Sequence, residues 1–334
     1  MAIEQWLVDG PKTIDLETVR RVRVDLAGGT VNIIGHDDPT ARVEVTSVSG
    51  RDLKVAIDGD TLVIDHPQLS LTDITISAQT LWNKPSADIS VLVPTRVDVA
   101  VRAITAEVLV VGVDGDIDVR TVGGEQFLDR TTGRVSLASV GGELSVRDHR
   151  GAVTTKTASG DVTVSGALTS FSGNTVTGST LVDVTSGLPD RIRNASVSGP
   201  VTLRLPADAQ PSYRVSSVTA LTQLDDLVVQ PLRGSTYVTP PEQYERNMTD
   251  VHLNTVGGQI TVLRSGRTSD VATADRPTSP PVAARSAPPR DVPDEFHVRL
   301  DKRVADASES LGVGADDAAA PDSSERPDTD GSNA

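Results

Sequence analysis

The sequence contains no cysteine and very few aromatic residues. Without cysteine the chain cannot form disulfides, use a thiol nucleophile, or bind zinc or iron–sulfur clusters through thiolates. Aromatic residues make up 2% of the 334 residues, and methionine occurs twice. The apolar residues are mainly valine, isoleucine, leucine and alanine, which together with many threonines and glycines favour strands and tight turns over helices. Such short side chains suit thin stacked layers of strands rather than a globular sandwich built around large rings.

Long apolar runs and an excess of positive charge are also missing. No stretch of about 18 apolar residues occurs, and Met1–Gly10 lacks the continuous apolar run of a secretory signal. We therefore expect no integral membrane segment and a cytoplasmic location, with peripheral membrane association and signal-independent secretion left open. The net charge of −15 argues against nucleic acid and against an anionic membrane surface, because both require clustered lysine and arginine.

Glycine recurs along the middle of the chain at a spacing of nine residues. In most repeats the second and fourth residues after the glycine are apolar, as at Ile117 and Val119. This alternation predicts a strand followed by a turn. A sharp turn often needs a positive φ angle, which glycine adopts at little cost. The glycines of this repeat are Gly115, Gly124, Gly133, Gly142, Gly151 and Gly160.

A second period of eighteen residues overlies the first. The tetrad Thr121–Gly124 returns in similar form at Ser139–Gly142, Thr157–Gly160 and Thr175–Gly178. We interpret eighteen residues as one coil with two main strands, so that residues eighteen apart lie above one another at about 4.8 Å. The predicted fold class is therefore all-β, a β-solenoid or β-helix-like stack with coils of about 18 residues.

The stacking predicts which side chains share a column. From the first inward column we expect Val140→Asp to unfold the repeat, because the substitution would bury an unpaired charge. The predicted inward columns are Val122, Val140, Ala158 and Val176; Ile117, Val135 and Val153; and Leu128, Val146 and Val164. A ladder of hydroxyls is expected to bond to the backbone at a corner, and it comprises Thr121, Ser139, Thr157 and Thr175.

Two crossed charge pairs support the same register. Asp129 is expected to stack on Arg147, and Arg130 on Asp148, as exposed pairs of opposite charge. Each such pair contributes only about 0–1 kcal/mol, so the pairs serve as evidence for the register rather than as major stabilising contacts.

The regular repeats span about residues 106–187, and the pattern reappears on both sides of them. Residues 27–33 match residues 140–146 in type, the tetrad Ser196–Gly199 comes three residues late, and the tetrad returns at Thr255–Gly258. We interpret residues 1–13 as an N-terminal extension and 14–264 as one domain that opens with an antiparallel or mixed β cap. Residues 265–334 are interpreted as a disordered tail. Asp294–Asp301 alternates apolar and polar residues there, either as a strand-adding motif or by chance.

Several of these segments resemble one known family. The segment Val22–Ile33, the repeated tetrads and the late strand Thr255–Val262 are similar to the DUF4097 family, adhesin-like β-strand-repeat or "toastrack" β-helix proteins of bacteria. The resemblance covers roughly Ile14 to Leu263. It implies a solenoid without a catalytic signature, and its relatives include envelope-stress and cell-surface proteins, often beside membrane segments. This chain departs from them in having no membrane segment, which leaves surface display and a cytoplasmic scaffold both open.

No arrangement of residues points to catalysis. The five histidines lack the spacing of a zinc site, and His149 is expected at a solvated corner. The glycine pairs precede no helix that would bind phosphate, and the recurring aspartate of the calcium β-roll is missing. Asp116 and Asp118 should point outward, and with Asp161 and Asp183 they are the candidate acid–base carboxylates for a polysaccharide. We predict no enzyme activity, no cofactor and no metal site.

The sequence thus predicts a non-enzymatic β-repeat scaffold or interaction module of a bacterium, adhesin-like, that binds a protein or surface partner. Self-association or partner binding would use the solenoid ends, because unpaired strand edges pair readily with other strands, or the tail. Two alternatives stay open. One is a component of an envelope-stress signalling or membrane-associated system, which the resemblance implies, and the other is a polysaccharide-active β-helix enzyme.

Overall fold

The computed structural model describes residues 4–66, 85–219, 221–225, 227–229, 236–239 and 248–265. These residues form strands and turns, and no helix occurs among them. The predicted all-β class is therefore confirmed. The predicted tail and its motif at Asp294–Asp301 lie outside the described residues.

Twenty-two strands occur within the described part of the chain. The N-terminal strands are β1 (Glu4–Val8), β2 (Lys12–Leu16), β3 (Arg21–His36), β4 (Ala41–Ser49), β5 (Leu53–Asp58), β6 (Thr61–Asp65) and β7 (Ser86–Pro94). The central strands are β8 (Asp98–Val111), β9 (Ile117–Gly123), β10 (Gln126–Asp129), β11 (Thr132–Gly141), β12 (Leu144–Ser159), β13 (Val162–Thr177), β14 (Thr180–Val184), β15 (Arg191–Ser198) and β16 (Val201–Leu205). The C-terminal strands are β17 (Pro211–Ser217), β18 (Thr222–Leu224), β19 (Leu227–Val229), β20 (Thr236–Val238), β21 (Thr249–Thr255) and β22 (Ile260–Arg264).

Parallel pairing between successive coils follows the predicted eighteen-residue step. Val135 on β11 pairs with Ile117 on one side and with Val153 on the other. Leu128 pairs with Val146, and Val146 pairs in turn with Val164. All of these side chains are buried. The register and two of the three predicted inward columns are therefore confirmed.

The strands form two ladders, and long bent strands contribute to both. The first ladder runs through β6, β3, β8, β9, β11, β12, β13, β15, β21 and β17. The second ladder runs through β7, β3, β8, β10, β12, β13, β14, β16, β22 and β18. The inward side chains of both ladders make one apolar core of mostly valine, isoleucine and leucine, in which Phe171 is the largest fully buried side chain.

The glycine pairs sit where one ladder turns into the other. Gly142 has a φ of 113°, a conformation that residues with a Cβ rarely adopt. A Cβ at this position would also collide with the carbonyl oxygen of Gly124 in the coil before. Glycine is therefore required at this corner for two reasons, the positive φ of the turn and the close stacking of successive backbones.

Both ends of the stack carry antiparallel strands. At the N-terminal end β1 pairs with β5 and β2 pairs with β4, both antiparallel, while β3 pairs in parallel with β6 and β7. The cap, for which the sequence left antiparallel and mixed pairing open, is mixed, and it includes β1, which lies in the segment interpreted as an extension. At the C-terminal end the three-residue strands β20 and β19 pair antiparallel with β17 and β18. Such short edge strands leave few backbone groups for pairing with another chain.

The coils do not stack in chain order at the C-terminal end. β21 pairs with β15 on one side and with β17 on the other, and β22 lies in the same way between β16 and β18. The coil that carries Thr255–Gly258 is thus inserted between two earlier coils. The predicted three-residue insertion before Ser196 is confirmed, because Thr175 pairs with Ser196, twenty-one residues later.

Candidate binding surface

A column of exposed apolar side chains runs along the first ladder. Val122, Val140 and Val176 are 52%, 55% and 50% exposed. The pairs Ser139–Thr157 and Gly141–Ser159 place Val140 directly beside Ala158 in the next coil, and equivalent pairs align the other members. We call this column the apolar stripe; in stacking order it comprises Ile104, Val122, Val140, Ala158, Val176, Val197, Val256 and Val218.

The prediction that Val122, Val140, Ala158 and Val176 point inward is wrong. Side chains alternate between the two faces of a strand, and Ile117 and Val119 on β9 are buried. Thr121 therefore also faces the core, and Val122 faces solvent. The signal was present in the sequence, because positions 117 and 122 are an odd number of residues apart.

The hydroxyl side chains of the tetrads bond to the backbone at the corner, as predicted, but they occupy the core positions that the valines were expected to fill. Ser139 accepts a hydrogen bond from Thr121 at 3.3 Å and donates one to the carbonyl oxygen of Gly141 at 2.6 Å. Thr157 donates to the carbonyl oxygen of Ser159 at 3.2 Å. These bonds satisfy the backbone at the corner and thereby fix the direction of the residue between, which belongs to the apolar stripe. The buried column is longer than predicted and comprises Thr121, Ser139, Thr157, Thr175, Ser196, Thr255 and Ser217.

A groove of about 830 Å³ follows the stripe from Val140 to Val218 and is lined by these six stripe side chains together with Arg120 and Lys156. Charged residues flank the stripe on both sides. The basic column lies two residues before the stripe on the same face, and it comprises Arg102, Arg120 and Lys156. The acidic column lies just past the glycine corner, and it comprises Glu107, Glu125, Glu143 and Asp161. All seven of these side chains are exposed.

The crossed charge pairs keep their predicted stacking but not their predicted bonds. Asp129 and Arg147 are partners in the β10–β12 ladder. The carboxylate of Asp129 nevertheless accepts a hydrogen bond from Arg130 at 3.0 Å, and the Arg147 guanidinium lies 5.5 Å from the centre of the Phe127 ring. The predicted cross-coil ion pairs are therefore wrong, although the register that they were taken to support is right.

The candidate carboxylates Asp116 and Asp118 point outward, as predicted, and each forms an ion pair with an arginine. Asp116 lies 3.4 Å from Arg134, and Asp118 lies 3.1 Å from Arg120. Asp183 is similarly paired with an arginine, at 3.0 Å.

Asp161 differs from the other candidates because its hydrogen-bond partner is a serine rather than an arginine. It accepts hydrogen bonds from the backbone nitrogen and the hydroxyl of Ser179, at 2.7 and 2.8 Å. These bonds hold the pKa of Asp161 below its ordinary value. A general acid needs the opposite shift.

His149 is buried rather than solvated, so the predicted exposed corner is wrong. Its Nδ1 lies 2.9 Å from the hydroxyl of Thr131, and burial lowers the pKa of its imidazole. The cause is an irregularity in β12 between Val146 and His149, where Asp148 has a φ of 49°. The extra residue inverts the alternation and turns the histidine inward. Burial also lowers the pKa of His66.

A polar cluster at the C-terminal end was not predicted. The hydroxyl of Tyr213 donates to Asp225 at 3.1 Å, and Arg264 donates to the same carboxylate oxygen at 3.1 Å. Burial raises the pKa of Tyr213 well above its ordinary value. The cluster ties β17 and β22 to the turn after β18. In the ranges given above, no three histidine or carboxylate side chains lie close enough to hold a metal ion.

Comparisons of the sequence with models of known families and with curated proteins give no match. Solved structures give weak likenesses. A "putative cell adhesion protein" of Clostridium sporogenes is 12% identical, with a TM-score of 0.27, over 76% of this chain and 100% of its own. A "putative adhesin" of Bacteroides fragilis is 11% identical, with a TM-score of 0.33, over 76% and 97%. A "putative lipid binding protein" of Parabacteroides distasonis is 10% identical, with a TM-score of 0.35, over 77% and 97%.

At these identities and TM-scores, the likenesses do not extend to function. Membership of the DUF4097 family stays a prediction from the sequence. The described residues also include no helix of the length and apolar character that crossing a membrane requires.

Proposed function

We propose that this chain is a non-enzymatic, adhesin-like interaction module, a β-solenoid of parallel coils that binds a protein partner along the apolar stripe. One observation carries the proposal: the same outward position is apolar in eight stacked coils. Outward strand positions are normally polar because water surrounds them, and Asp118 and Arg120 on β9 follow that rule.

The arrangement of the exposed valines favours binding over chance. Single exposed apolar side chains are common on soluble proteins, but contiguous apolar patches rimmed by polar residues mark interaction sites. Eight coils at about 4.8 Å make the stripe about 34 Å long. Valine also loses little side-chain entropy when it is buried by a partner, because its one rotatable bond is already restricted.

The rigidity of the coils supports the same function. Seven of the eight stripe residues follow a buried hydroxyl side chain, as Val140 follows Ser139, and Ile104 follows the buried Ala103. The stripe therefore keeps its shape without a partner, and binding requires little ordering of the chain. The carboxylates paired with arginine and the lowered pKa of Asp161 favour this function over polysaccharide cleavage.

Site-specific photo-crosslinking tests the proposal. A photoreactive amino acid would replace Val140 in one version of the full chain and Ser145, which faces outward on the second ladder, in a matched control. Expressed in the source bacterium, the version with the probe at position 140 should give a discrete crosslinked product that the control lacks. Val122→Asp together with Val176→Asp should reduce this product severalfold. Equal crosslinking from both positions, or none from position 140, would contradict the proposal.

A further inference from the structure

We infer that the partner on the apolar stripe is a second copy of this chain. The two copies would face each other with parallel coil axes, related by a two-fold axis that runs along the stripe. The inference rests on the proposed use of the stripe for binding. It follows from the charges that flank the stripe, coil by coil.

The flanking charges have opposite signs on the two sides of the stripe. In three coils a basic residue lies on one side and an acidic residue on the other. The coil of Val140 has Ala138 and Glu143 in these places. The three coils beyond that of Ala158 have uncharged pairs, which are Asn174 and Ser179, Ala195 and Pro200, and Asn254 and Gln259. The coils from Ile104 to Val256 thus never carry the same charge on both sides. The three oppositely charged pairs are Arg102 with Glu107, Arg120 with Glu125, and Lys156 with Asp161.

The opposite charges on the two sides of the stripe suit pairing with an identical copy. When two identical surfaces meet face to face, a two-fold axis along the stripe exchanges its left and right sides. The basic column of one copy then lies over the acidic column of the other, within the same coil. A two-fold axis across the stripe would instead place acidic column on acidic column, which is unfavourable. The parallel arrangement therefore buries the stripe and places every residue of the basic column opposite an acidic residue, while Glu143 lies opposite the uncharged Ala138.

Within one copy Arg120 is paired with a carboxylate other than that of Glu125. The Arg120 guanidinium lies 3.1 Å from Asp118 on its own strand, on the side away from Glu125. Across the proposed interface Arg102 would face the partner copy's acidic side chain at position 107, and position 107 would face the partner copy's arginine at position 102. Each pairing therefore occurs twice.

The stripe is small for a protein interface. A strip about 34 Å long and about 15 Å wide covers roughly 500 Å² on each copy, which is below the usual 800 Å² of a stable interface. We therefore expect a dimer with a dissociation constant in the micromolar range, present at high concentration and dissociated at low concentration.

Charge reversal in a defined combination tests the inference. Sedimentation velocity would be measured from about 1 µM to about 200 µM on the full chain and on Arg102→Glu, Glu107→Arg and the double variant. Arg150→Glu, an exposed arginine at the other corner, is the matched control. Each single variant would place like charges opposite each other twice, so its dimer should weaken by about tenfold or more. The control should dimerise like the unmodified chain.

Mixing makes the test specific. In an equimolar mixture of Arg102→Glu and Glu107→Arg, each mixed dimer pairs two acidic with two basic side chains, and dimerisation should return. It should return in the double variant as well. Recovery also shows that the single variants are folded. A monomeric unmodified chain at about 200 µM, single variants that dimerise normally, or a mixture that stays monomeric would each overturn the inference.

The crosslinking experiment separates this inference from the function on which it rests. A product of twice the chain mass at position 140, which mass spectrometry identifies as the chain itself, supports both. If the chain is monomeric and the crosslinked product contains a different protein, the dimer inference is wrong and the proposed function as an interaction module still holds. An internal crosslink to residues 266–334 overturns the second copy too, and it would identify the stripe as a site for the chain's own C-terminal segment.

Discussion

Ser139 and Val140 are adjacent on β11 and point in opposite directions, the serine into the core at 8% exposure and the valine outward at 55%. The more polar of the two side chains is the buried one. It is buried because the alternation of the strand places it inward, and because its hydroxyl donates to the carbonyl oxygen of Gly141. Strand alternation therefore outweighs the hydrophobicity of a single side chain at this corner.

An outward and an inward valine on β11 should respond very differently to replacement by aspartate. Val140→Asp should change the free energy of unfolding by about 0.5 kcal/mol or less, because the carboxylate would lie in solvent. Val135→Asp, at a site that is 0% exposed, should cost about 4 kcal/mol or more, because it buries an unpaired charge. Urea unfolding followed by circular dichroism measures both. If Val140→Asp unfolds the chain, the stripe is part of the core.

The register could be predicted from the sequence because the sequence period equals the coil. Residues eighteen apart pair directly at Ile117, Val135 and Val153. The sequence period alone therefore shows which side chains stack in this column. The same reasoning failed at Val140, where an apolar residue was assumed to be buried. Counting alternate positions from Ile117 would have placed the hydroxyls inside and revealed the stripe.

Two adjacent glycines offer a matched pair for testing the corner. Gly142 has a positive φ, and an added Cβ would meet the backbone of Gly124, whereas a Cβ on Gly141 would have its nearest neighbours at 4.0 Å. Gly142→Ala should destabilise the fold by about 2 kcal/mol or more, and Gly141→Ala by about 0.5 kcal/mol or less. Thermal and urea unfolding would compare the two. Equal losses would mean that the corner does not require its left-handed glycine.

The hydroxyl column should contribute measurably at each coil. Thr157→Val keeps the shape of the side chain but removes the hydrogen bond to the carbonyl oxygen of Ser159, which is 3.2 Å long. We expect a loss of about 1 kcal/mol in the free energy of unfolding. Thr154→Val, on the outer face of the same strand, is the control and should be nearly neutral. If Thr157→Val leaves the free energy of unfolding unchanged, the hydroxyl column does not stabilise the corner.

Two features could not be read from the sequence, for physical reasons. The order of the last coils depends on which strands β21 lies between, and Thr255 matches both Ser196 and Ser217 equally well in type. The burial of His149 depends on one residue, Asp148, that takes a positive φ and shifts the alternation of β12. Periodicity describes regular strands, and a single irregular residue reverses every inward and outward assignment after it.

The buried histidines should make the fold sensitive to mild acid. Burial lowers the folded-state pKa of His149 and of His66 below the value of about 6.5 that holds in the unfolded chain. At pH 8 both states are neutral at these sites, so stability does not depend on them. As the pH falls through about 6.5, the unfolded chain takes up protons that the folded chain does not, and the free energy of unfolding decreases.

This decrease can be assigned to His149 by substitution. Each such histidine lowers the free energy of unfolding by up to about 1.4 kcal/mol per pH unit, until the pH reaches its folded-state pKa. His149→Gln cannot take up a proton, so its stability should fall less between pH 7 and pH 5.5 than that of the unmodified chain, whatever its stability at pH 8. The measurement is urea unfolding at several pH values in that range. An unchanged slope in His149→Gln would place the imidazole in contact with water, as the sequence alone had suggested.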